Sequence, residues 1–488
     1  MVAFDTAALF ARLGAMPHRV SSDSRDLRAG DAFAAWPGTR VDGRAFIPDA
    51  IARGASAVLW ESRNFRWNDG WAVANAGVEG LAGKLGSIAN EVFGRPSRDL
   101  WMVGVTGTNG KTTTSQWIAQ SLDGAGRRCG VIGTLGIGFV GALAPAANTT
   151  PDAATFHETL ARFRDGGAKA VAMEVSSIGL EQGRVNGATF DLAVFTNLTR
   201  DHLDHHGTMA AYGEVKSRLF SWPGLACSVI NADDAFGQRL IDEARGRGAR
   251  VLSYGLANAD VAATGIAAGP RGYSLGVATP WGRGFVDTAV VGAFNVSNLL
   301  ATLGALLASE VEFDAALAAL ARLAPPPGRM ERHGGDGRPM VVIDYAHTPD
   351  ALEKVLTALR PVVPPGGELV CVFGCGGDRD PGKRPQMGRI AGGLADRVVI
   401  TNDNPRYEDA GAIAAAVAKG LADAGHRRWT IELDRDAAIQ GAVHAAKRGD
   451  VVLVAGKGHE SWQEVGGERR AFSDALAAED ALAGWSEP

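Results

Sequence analysis

An α/β protein of about three domains is what this sequence predicts, and three observations predict it. The chain has 488 residues, 46% hydrophobic and 21% charged, which suits several well-filled cores. Short apolar runs alternate with helix-like segments over most of its length, as parallel strands covered by helices do. Between the apolar run Leu100–Val105 and the helix-like Ser115–Leu122 lies Gly107-Thr108-Asn109-Gly110-Lys111-Thr112-Thr113, the composition of a phosphate-binding turn. The expected architecture is a smaller N-terminal α/β domain over residues 1–97, a central P-loop ATPase-like parallel-sheet domain over 98–326, and a C-terminal Rossmann-like domain over 327–488.

The elements follow in order. Gly30-Asp31 leads into a strand at Ala32–Trp36, a helix is expected over Ala45–Gly54, and a second strand over Ala57–Trp60. Gly94-Arg95-Pro96-Ser97 has the composition of a linker. In the central domain Val171–Val175 and Leu192–Asn197 are buried-strand candidates. Pro325-Pro326-Pro327-Gly328 must stop the preceding helix, because proline fixes φ and lacks the N–H. Beyond it, Met340–Asp344, Leu369–Gly374, Val398–Thr401 and Val451–Val454 read as strands of a doubly wound sheet.

Composition narrows the function classes. Net charge is −5, from 49 basic and 54 acidic residues, so neither a nucleic-acid nor a membrane-surface partner is expected. Cys129, Cys227, Cys371 and Cys375 match no zinc pair and no C-x-x-C motif, and read as reduced thiols of a cytoplasmic protein. The N-terminus lacks the basic start and long apolar run of a secretory signal, and Leu299–Ala308 reads as a buried helix, too short to span a membrane. A monomer acting on small cytoplasmic substrates is the expectation.

The chemistry centres on anions. Glycines let backbone N–H groups turn toward a phosphate, and a helix N-terminus adds partial positive charge. Lys111 can then reach the outer phosphates of ATP and Thr112 can offer its hydroxyl to Mg²⁺. The match to the strict P-loop pattern is imperfect, since its first glycine should fall at Val105 and Gly104 stands one residue early. Glu174 ends a strand candidate, where a carboxylate that positions Mg²⁺ is expected. The stretch Thr196–His206 holds Asp201, His202, Asp204, His205 and His206; zinc is open there, and the phosphate loop favours magnesium.

Together Gly107–Thr113, Glu174-Val-Ser-Ser177, Asn197–His202, Asn295-Val-Ser-Asn298 and Asp344-Tyr-Ala-His-Thr-Pro349 resemble the Mur ligases, ATP-dependent amino-acid ligases of peptidoglycan precursor synthesis, and keep their motif order along nearly the whole chain. Folylpolyglutamate synthetases share the loop and architecture but lack the Asp23-Ser24-Arg25, Gly30-Asp31 and Asp42-Gly43 pattern, which is similar to the UDP-binding domain of the ligases that add the third amino acid, diaminopimelate or lysine. The resemblance implies that ATP phosphorylates a substrate carboxylate and an amine attacks the acyl phosphate. By resemblance, Thr112 and Glu174 hold one Mg²⁺, while His202 and Lys216 belong to a second metal position, Lys216 as an N6-carboxylysine (carbamate). Lys111, Glu174, His202 and Lys216 are the catalytic set it implies. Ser22, Ser24, Asn148, Thr149, Thr150, Ser176, Gln182 and Arg184 match contacts to UDP-MurNAc-L-Ala-D-Glu, with Ser22 standing where an apolar residue is common and Ile178 replacing a frequent histidine. Asn295, Asn298, Arg329, Asp344 and His347 match contacts to ATP.

Asp403-Asn404-Pro405-Arg406 follows a strand candidate and resembles the recognition motif of those Mur ligases that add meso-diaminopimelate. A guanidinium can pair bidentately with the second carboxylate of diaminopimelate, which lysine lacks. Arg379, Gly456 and Glu460 match the remaining diaminopimelate contacts, Glu460 suiting an ammonium. A lysine-adding or folate polyglutamate ligase is the competing enzyme reading. A nucleotide-dependent switch is the competing non-enzyme reading, and it leaves the substrate motifs unexplained.

Overall fold

The computed structural model describes residues 4–38, 41–269 and 272–488. The chain forms two compact units, one of Met1–Ala262 with Ala278–Gly282 and Leu300–Ala319, the other of Ala263–Val277, Arg283–Leu299 and Leu320–Pro488.

In the first unit, β1 (Val20–Ser21), β2 (Ala32–Ala35), β3 (Ala57–Glu61) and β4 (Ala74–Val78) form a parallel sheet in that spatial order. A second sheet uses β5 (Trp101–Thr106), β6 (Cys129–Gly133), β7 (Gly136–Phe139), β8 (Ala142–Ala144), β9 (Ala170–Glu174), β10 (Leu192–Phe195), β11 (Cys227–Asn231) and β12 (Val251–Gly255). Their order is β12-β11-β10-β5-β9-β6-β7-β8, and all but the β6-β7 and β7-β8 pairs are parallel. Strands β9, β10 and β11 are buried at every residue, as helices on both faces of a parallel sheet require. Register pairs Val105 with Glu174 and Thr106 with Phe195, so the carboxyl ends of β5, β9 and β10 finish level.

Three strands follow, β13 (Val261–Gly269), β14 (Gly272–Thr279) and β15 (Gly282–Thr288). In the second unit, β16 (Glu331–Gly334), β17 (Met340–Asp344), β18 (Leu369–Phe373), β19 (Arg397–Ile400), β20 (Trp429–Ile431) and β21 (Val451–Ala455) form a sheet in the order β16-β17-β21-β18-β19-β20, parallel except at β16. Asp344 and Phe373 both pair with Ala455, and Phe373 with Ile400, so these strand ends are also level. A separate hairpin, β22 (Trp462–Val465) with β23 (Glu468–Ala471), follows.

Several boundaries differ from those the sequence suggests. The helix after the phosphate turn starts at Lys111, not Ser115, because Gly110 takes a left-handed conformation (φ +83°) and turns the chain directly into it. The strand expected over Leu192–Asn197 ends at Phe195: Thr196 N still donates to Thr106 O of β5 (3.0 Å), but the Thr196 and Asn197 side chains turn onto Asn109 O of the phosphate loop. The helix expected over Ala45–Gly54 divides into a 3₁₀ turn, Gly43–Phe46, and a helix, Ile47–Ala52. The Gly94–Ser97 segment is packed, with Ser97 buried and bonded twice to Thr189 at 3.0 Å.

Candidate functional site

At the end of β5 the chain turns through Gly107, whose φ is +146° and where a Cβ would lie 1.9 Å from Thr196 Oγ1, so only glycine fits without rearrangement. Thr196 Oγ1 donates to Asn109 O (2.6 Å), Asn197 Nδ2 donates to the same oxygen (3.1 Å), and Asn109 N donates to Asn197 Oδ1 (3.0 Å). Thr108 Oγ1 donates to Thr199 O at 3.1 Å. The loop is therefore buttressed from the end of β10, and its shape is set before any anion arrives. Thr113 is buried in the first turn of the helix that starts at Lys111. Lys111 Nζ bonds to Gly107 O (3.0 Å) and Thr108 O (2.8 Å), which holds its ammonium over the loop.

Glu174, at the carboxyl end of β9, is 1% exposed. Its Oε2 accepts from Thr112 Oγ1 (3.0 Å) and Thr134 Oγ1 (3.2 Å), and its Oε1 from Thr134 N (2.7 Å). Thr134 Oγ1 also meets Thr149 Oγ1 at 3.0 Å. Thr150 Oγ1 donates to Glu174 O at 2.9 Å and accepts from Ser176 N at 3.0 Å, and Arg184 Nη1 donates to Thr150 O at 2.6 Å. Gln182 Oε1 accepts from Arg184 Nε at 2.9 Å. One hydrogen-bonded path thus joins Thr112 of the phosphate helix to Thr149, Thr150, Ser176, Gln182 and Arg184. Ser22 Oγ reaches Asp152 Oδ1 (3.4 Å) just beyond Thr150, Ser24 is buried at the head of a 3₁₀ turn, and Asn148 is exposed.

Lys216 is buried, donates to Gly107 O at 2.9 Å, and lies 4.5 Å from the Tyr212 ring centroid. Burial, with the Lys111 ammonium beside it, drives its pKa well below the ordinary lysine range. His202 has a left-handed backbone (φ +52°) and stands with its Nε2 3.6 Å from Asp201 Oδ2 on the surface. Tyr212 joins the two, its ring 6.1 Å from that of His202. Among the described residues, Glu181, His205 and His206 also bring three possible metal-ligand atoms within 4.8 Å of one another.

In the second unit Asn298 Nδ2 donates to Asn295 Oδ1 (2.9 Å), both side chains being buried on the helix Ala293–Ala308. Asp344 accepts from Met330 N and Ala346 N, each at 2.9 Å, and burial pushes its pKa up to about 6. The Arg329 guanidinium lies 4.7 Å from the Tyr345 ring centroid, and that ring also meets those of His347 (4.7 Å) and His459 (5.3 Å). His347 Nδ1 donates to Tyr345 O (2.8 Å), and burial lowers its pKa. Tyr345 and His459 are the residues sequence reasoning passed over here. Tyr345 stands inside the quoted Asp344–Pro349 motif, and His459 lies between the candidates Gly456 and Glu460.

The loops after β19 and β21 carry the remaining candidates. Asn404 Nδ2 donates to Glu460 Oε2 at 2.9 Å, and Gly456 N donates to Asp344 O at 3.0 Å. Asp403 is buried, which raises its pKa. Arg406 takes a left-handed backbone (φ +52°) just after Pro405, donates from Nη1 to Gly377 O (2.6 Å), and has its Nε 3.5 Å from Glu464 Oε2. A non-glycine residue held in that conformation marks a constrained side chain. Arg379 is exposed. The hairpin strand β22 grips the tetrapeptide: Gln463 Nε2 donates to Asp403 O (2.8 Å), Glu464 N to Asn404 Oδ1 (2.9 Å) and Arg406 N to Glu464 O (3.1 Å). Beneath it, fully buried Arg435 pairs with Asp474 at 2.7 and 2.8 Å and donates to Asn402 O and Ala455 O, each at 3.0 Å, fastening the ends of β19 and β21 together.

Three family models match this chain. Residues 105–306 match the Mur ligase middle domain, residues 328–458 the Mur ligase, glutamate ligase domain, and residues 17–88 the Mur ligase family, catalytic domain. A Chromobacterium violaceum protein named UDP-N-acetylmuramoyl-L-alanyl-D-glutamate--2,6-diaminopimelate ligase is 52% identical over 481 residues, covering 98% of this chain and 97% of its own length. A Pseudomonas aeruginosa protein of the same name is 50% identical, covering 96% of this chain and 95% of its own. A solved structure of a ligase of that name matches with a TM-score of 0.71 at 37% identity, over 96% of this chain and 94% of that one. In fold alone, the MurF ligase of Thermotoga maritima in complex with ADP matches with a TM-score of 0.64 at 20% identity.

Proposed function

This chain belongs to the Mur ligase family, and from that premise we infer that it is an ATP-dependent, amide-bond-forming ligase that adds 2,6-diaminopimelate to UDP-N-acetylmuramoyl-L-alanyl-D-glutamate in peptidoglycan precursor synthesis. The observation that carries the reading is the continuous path from Thr112 through Glu174 and Thr134 to Thr149, which sets a phosphate site against a polar substrate loop.

In the proposed reaction the terminal phosphoryl group of ATP passes to the substrate's terminal carboxylate. The diaminopimelate amine, as the free base, attacks the acyl carbon and gives up one proton, the amide C–N bond forms, the C–O bond to phosphate breaks, and phosphate leaves with that bond's electrons. With Thr108 N and Asn109 N held by Asn197, the helix start Gly110–Thr113 supplies N–H donors to the phosphates, and Lys111 offsets the charge that develops on the transferring group. Thr149, Thr150, Ser176, Gln182 and Arg184 orient the dipeptide, while Ser22, Ser24 and Asn148 serve the same substrate. Asn295, Asn298, Arg329, Asp344 and His347 bind the nucleoside side of ATP. Arg406, with Asp403, Asn404, Pro405, Arg379, Gly456 and Glu460, binds diaminopimelate, the guanidinium taking the distal carboxylate.

The donor set fits magnesium: a buried Glu174 carboxylate beside the Thr112 hydroxyl is a hard, all-oxygen pair. Thr112 and Glu174 would hold one magnesium and His202 with Lys216 a second, and when bound the metal would neutralise phosphate charge. A lysine ammonium cannot serve as a ligand. The depressed basicity of buried Lys216 favours the free amine, whose lone pair can add to carbon dioxide with loss of a proton. The resulting carbamate carries the oxygens and negative charge a hard cation takes. We further propose a cytoplasmic monomer with domain boundaries near residues 97 and 326. Among the described residues no helix is long and apolar enough to cross a membrane.

The test is direct. Purified protein given ATP, magnesium, UDP-MurNAc-L-Ala-D-Glu and meso-diaminopimelate should form the tripeptide and one ADP per amide, read by mass spectrometry. Equal turnover with lysine would overturn the reading of Arg406, and no amide with any diamino acid would overturn the whole.

A further inference from the structure

The amino-acid site holds a buried cation for which the proposed reaction has no use. Lys457 is 0% exposed and sits in the loop after β21. Its Nζ donates to Glu460 Oε2 at 2.8 Å and to Asn404 Oδ1 at 3.1 Å. Asp403 Oδ1 is 4.0 Å away, and the Trp462 ring centroid 5.3 Å. Full burial of an ammonium is rare and demands such pairing.

Its partners are fixed in consequence. A cation can meet only the oxygen of an amide, so Lys457 decides which way Asn404 points. Asn404 Oδ1 then also accepts from Glu464 N (2.9 Å), and its Nδ2 is left to donate to Glu460 Oε2 (2.9 Å). Two donors therefore engage one oxygen of Glu460. Its side chain keeps 19% of its surface exposed, and the hydrogen bonds described leave Oε1 unused. Lys457 also counters the charge of two carboxylates, Asp403 and Glu460, that would otherwise face each other in a nearly dry site.

We propose that Lys457 is a positioning residue for the amino-acid substrate: it locks Asn404 and Glu460 so that the unengaged Glu460 oxygen accepts the distal ammonium of diaminopimelate, beside the distal carboxylate held by Arg406. The inference rests on the diaminopimelate reading of this site. It makes recognition of the distal ammonium depend on a residue that does not touch the substrate.

The experiment compares meso-diaminopimelate with 2-aminopimelate, which lacks the distal amine. Wild-type protein should prefer diaminopimelate by about tenfold or more in kcat/KM, the scale of a lost charged hydrogen bond. Lys457→Met should bring that ratio to within about threefold of unity with the KM for ATP little changed, and a Lys457→Met/Glu460→Gln double variant should lose no more than either single. A wild-type preference retained in Lys457→Met, additive losses in the double variant, or no preference in wild-type protein would overturn the inference while leaving the ligase reading intact. Failure of wild-type protein to form amide with diaminopimelate would overturn both. If Lys457→Met does not fold, Glu460→Gln should lower the melting temperature by several degrees by removing the nearer of the two carboxylates that offset the buried ammonium; an unchanged melting temperature would overturn the pairing.

Discussion

Lys216 and Arg406 show how single side chains come to sit in surroundings that their types do not announce. Lys216 sits on a helix whose composition is that of a surface helix, yet it is buried against Gly107 O and Tyr212. Lys216→Ala should abolish ligation, and added bicarbonate should not restore it, since alanine has no amine to carboxylate; steady-state ADP release measures this. Arg406→Ala should raise the KM for diaminopimelate by a factor of about 30 or more, taking roughly 2 kcal/mol as the lower bound for a lost charged partner, with a much smaller change in the KM for ATP. The tetrapeptide marks Arg406 as a candidate in the sequence. Its pairing with Glu464 was not legible there, because the hairpin that brings Glu464 lies about sixty residues further along the chain. Thr134 carried no signal at all: a lone threonine in a turn becomes the bridge between Glu174 and Thr149.

Whole elements depend on close approaches. The phosphate turn needs glycine at 107, where a Cβ would fall 1.9 Å from Thr196 Oγ1. Gly107→Ala should push the loop off the end of β10 and weaken nucleotide binding at least about tenfold, measurable by fluorescence titration with a labelled ATP analogue. In the second unit the Arg435–Asp474 pair has both side chains 0% exposed and clamps β19 to β21. Asp474→Asn leaves that guanidinium buried without its counter-charge and should cost about 3–5 kcal/mol, seen as a lower urea midpoint. Strand positions were legible because a buried parallel strand is a continuous apolar run. Boundaries were less so: capping and loop buttressing, which end β10 at Phe195, are decided by neighbours in space.

For the molecule as a whole, one contribution to acid stability comes from a buried imidazole. His157 is 0% exposed; its Nε2–H donates to Asn186 O (2.9 Å), and Asn186 Nδ2 donates in turn to Gly83 O (2.9 Å), tying the early and middle parts of the first unit together. Its Nδ1 has no hydrogen-bond partner among the described residues, and burial pushes its pKa down from 6.5 to about 4. Above pH 6.5 both folded and unfolded forms are neutral and the contribution is intact. Below it the unfolded chain takes up a proton that the folded chain refuses until about pH 4, so stability falls across that window by up to about 3 kcal/mol. His157→Gln should flatten this part of the profile in unfolding titrations between those pH values.

The sequence by itself determined the α/β alternation and the places of the long apolar strands, the turn at Gly107–Thr113, the carboxylate at the end of β9 and the tetrapeptide that points to diaminopimelate. Each is written in adjacent residues, where spacing and periodicity act directly. Only the tertiary structure decided that Thr112 meets Glu174, that Lys216 is buried, that Asp474 neutralises Arg435, and that Lys457 sits under Asn404 and Glu460. These pairings join positions remote along the chain, and burial and charge balance at a point in space depend on everything packed around it, which no local pattern records.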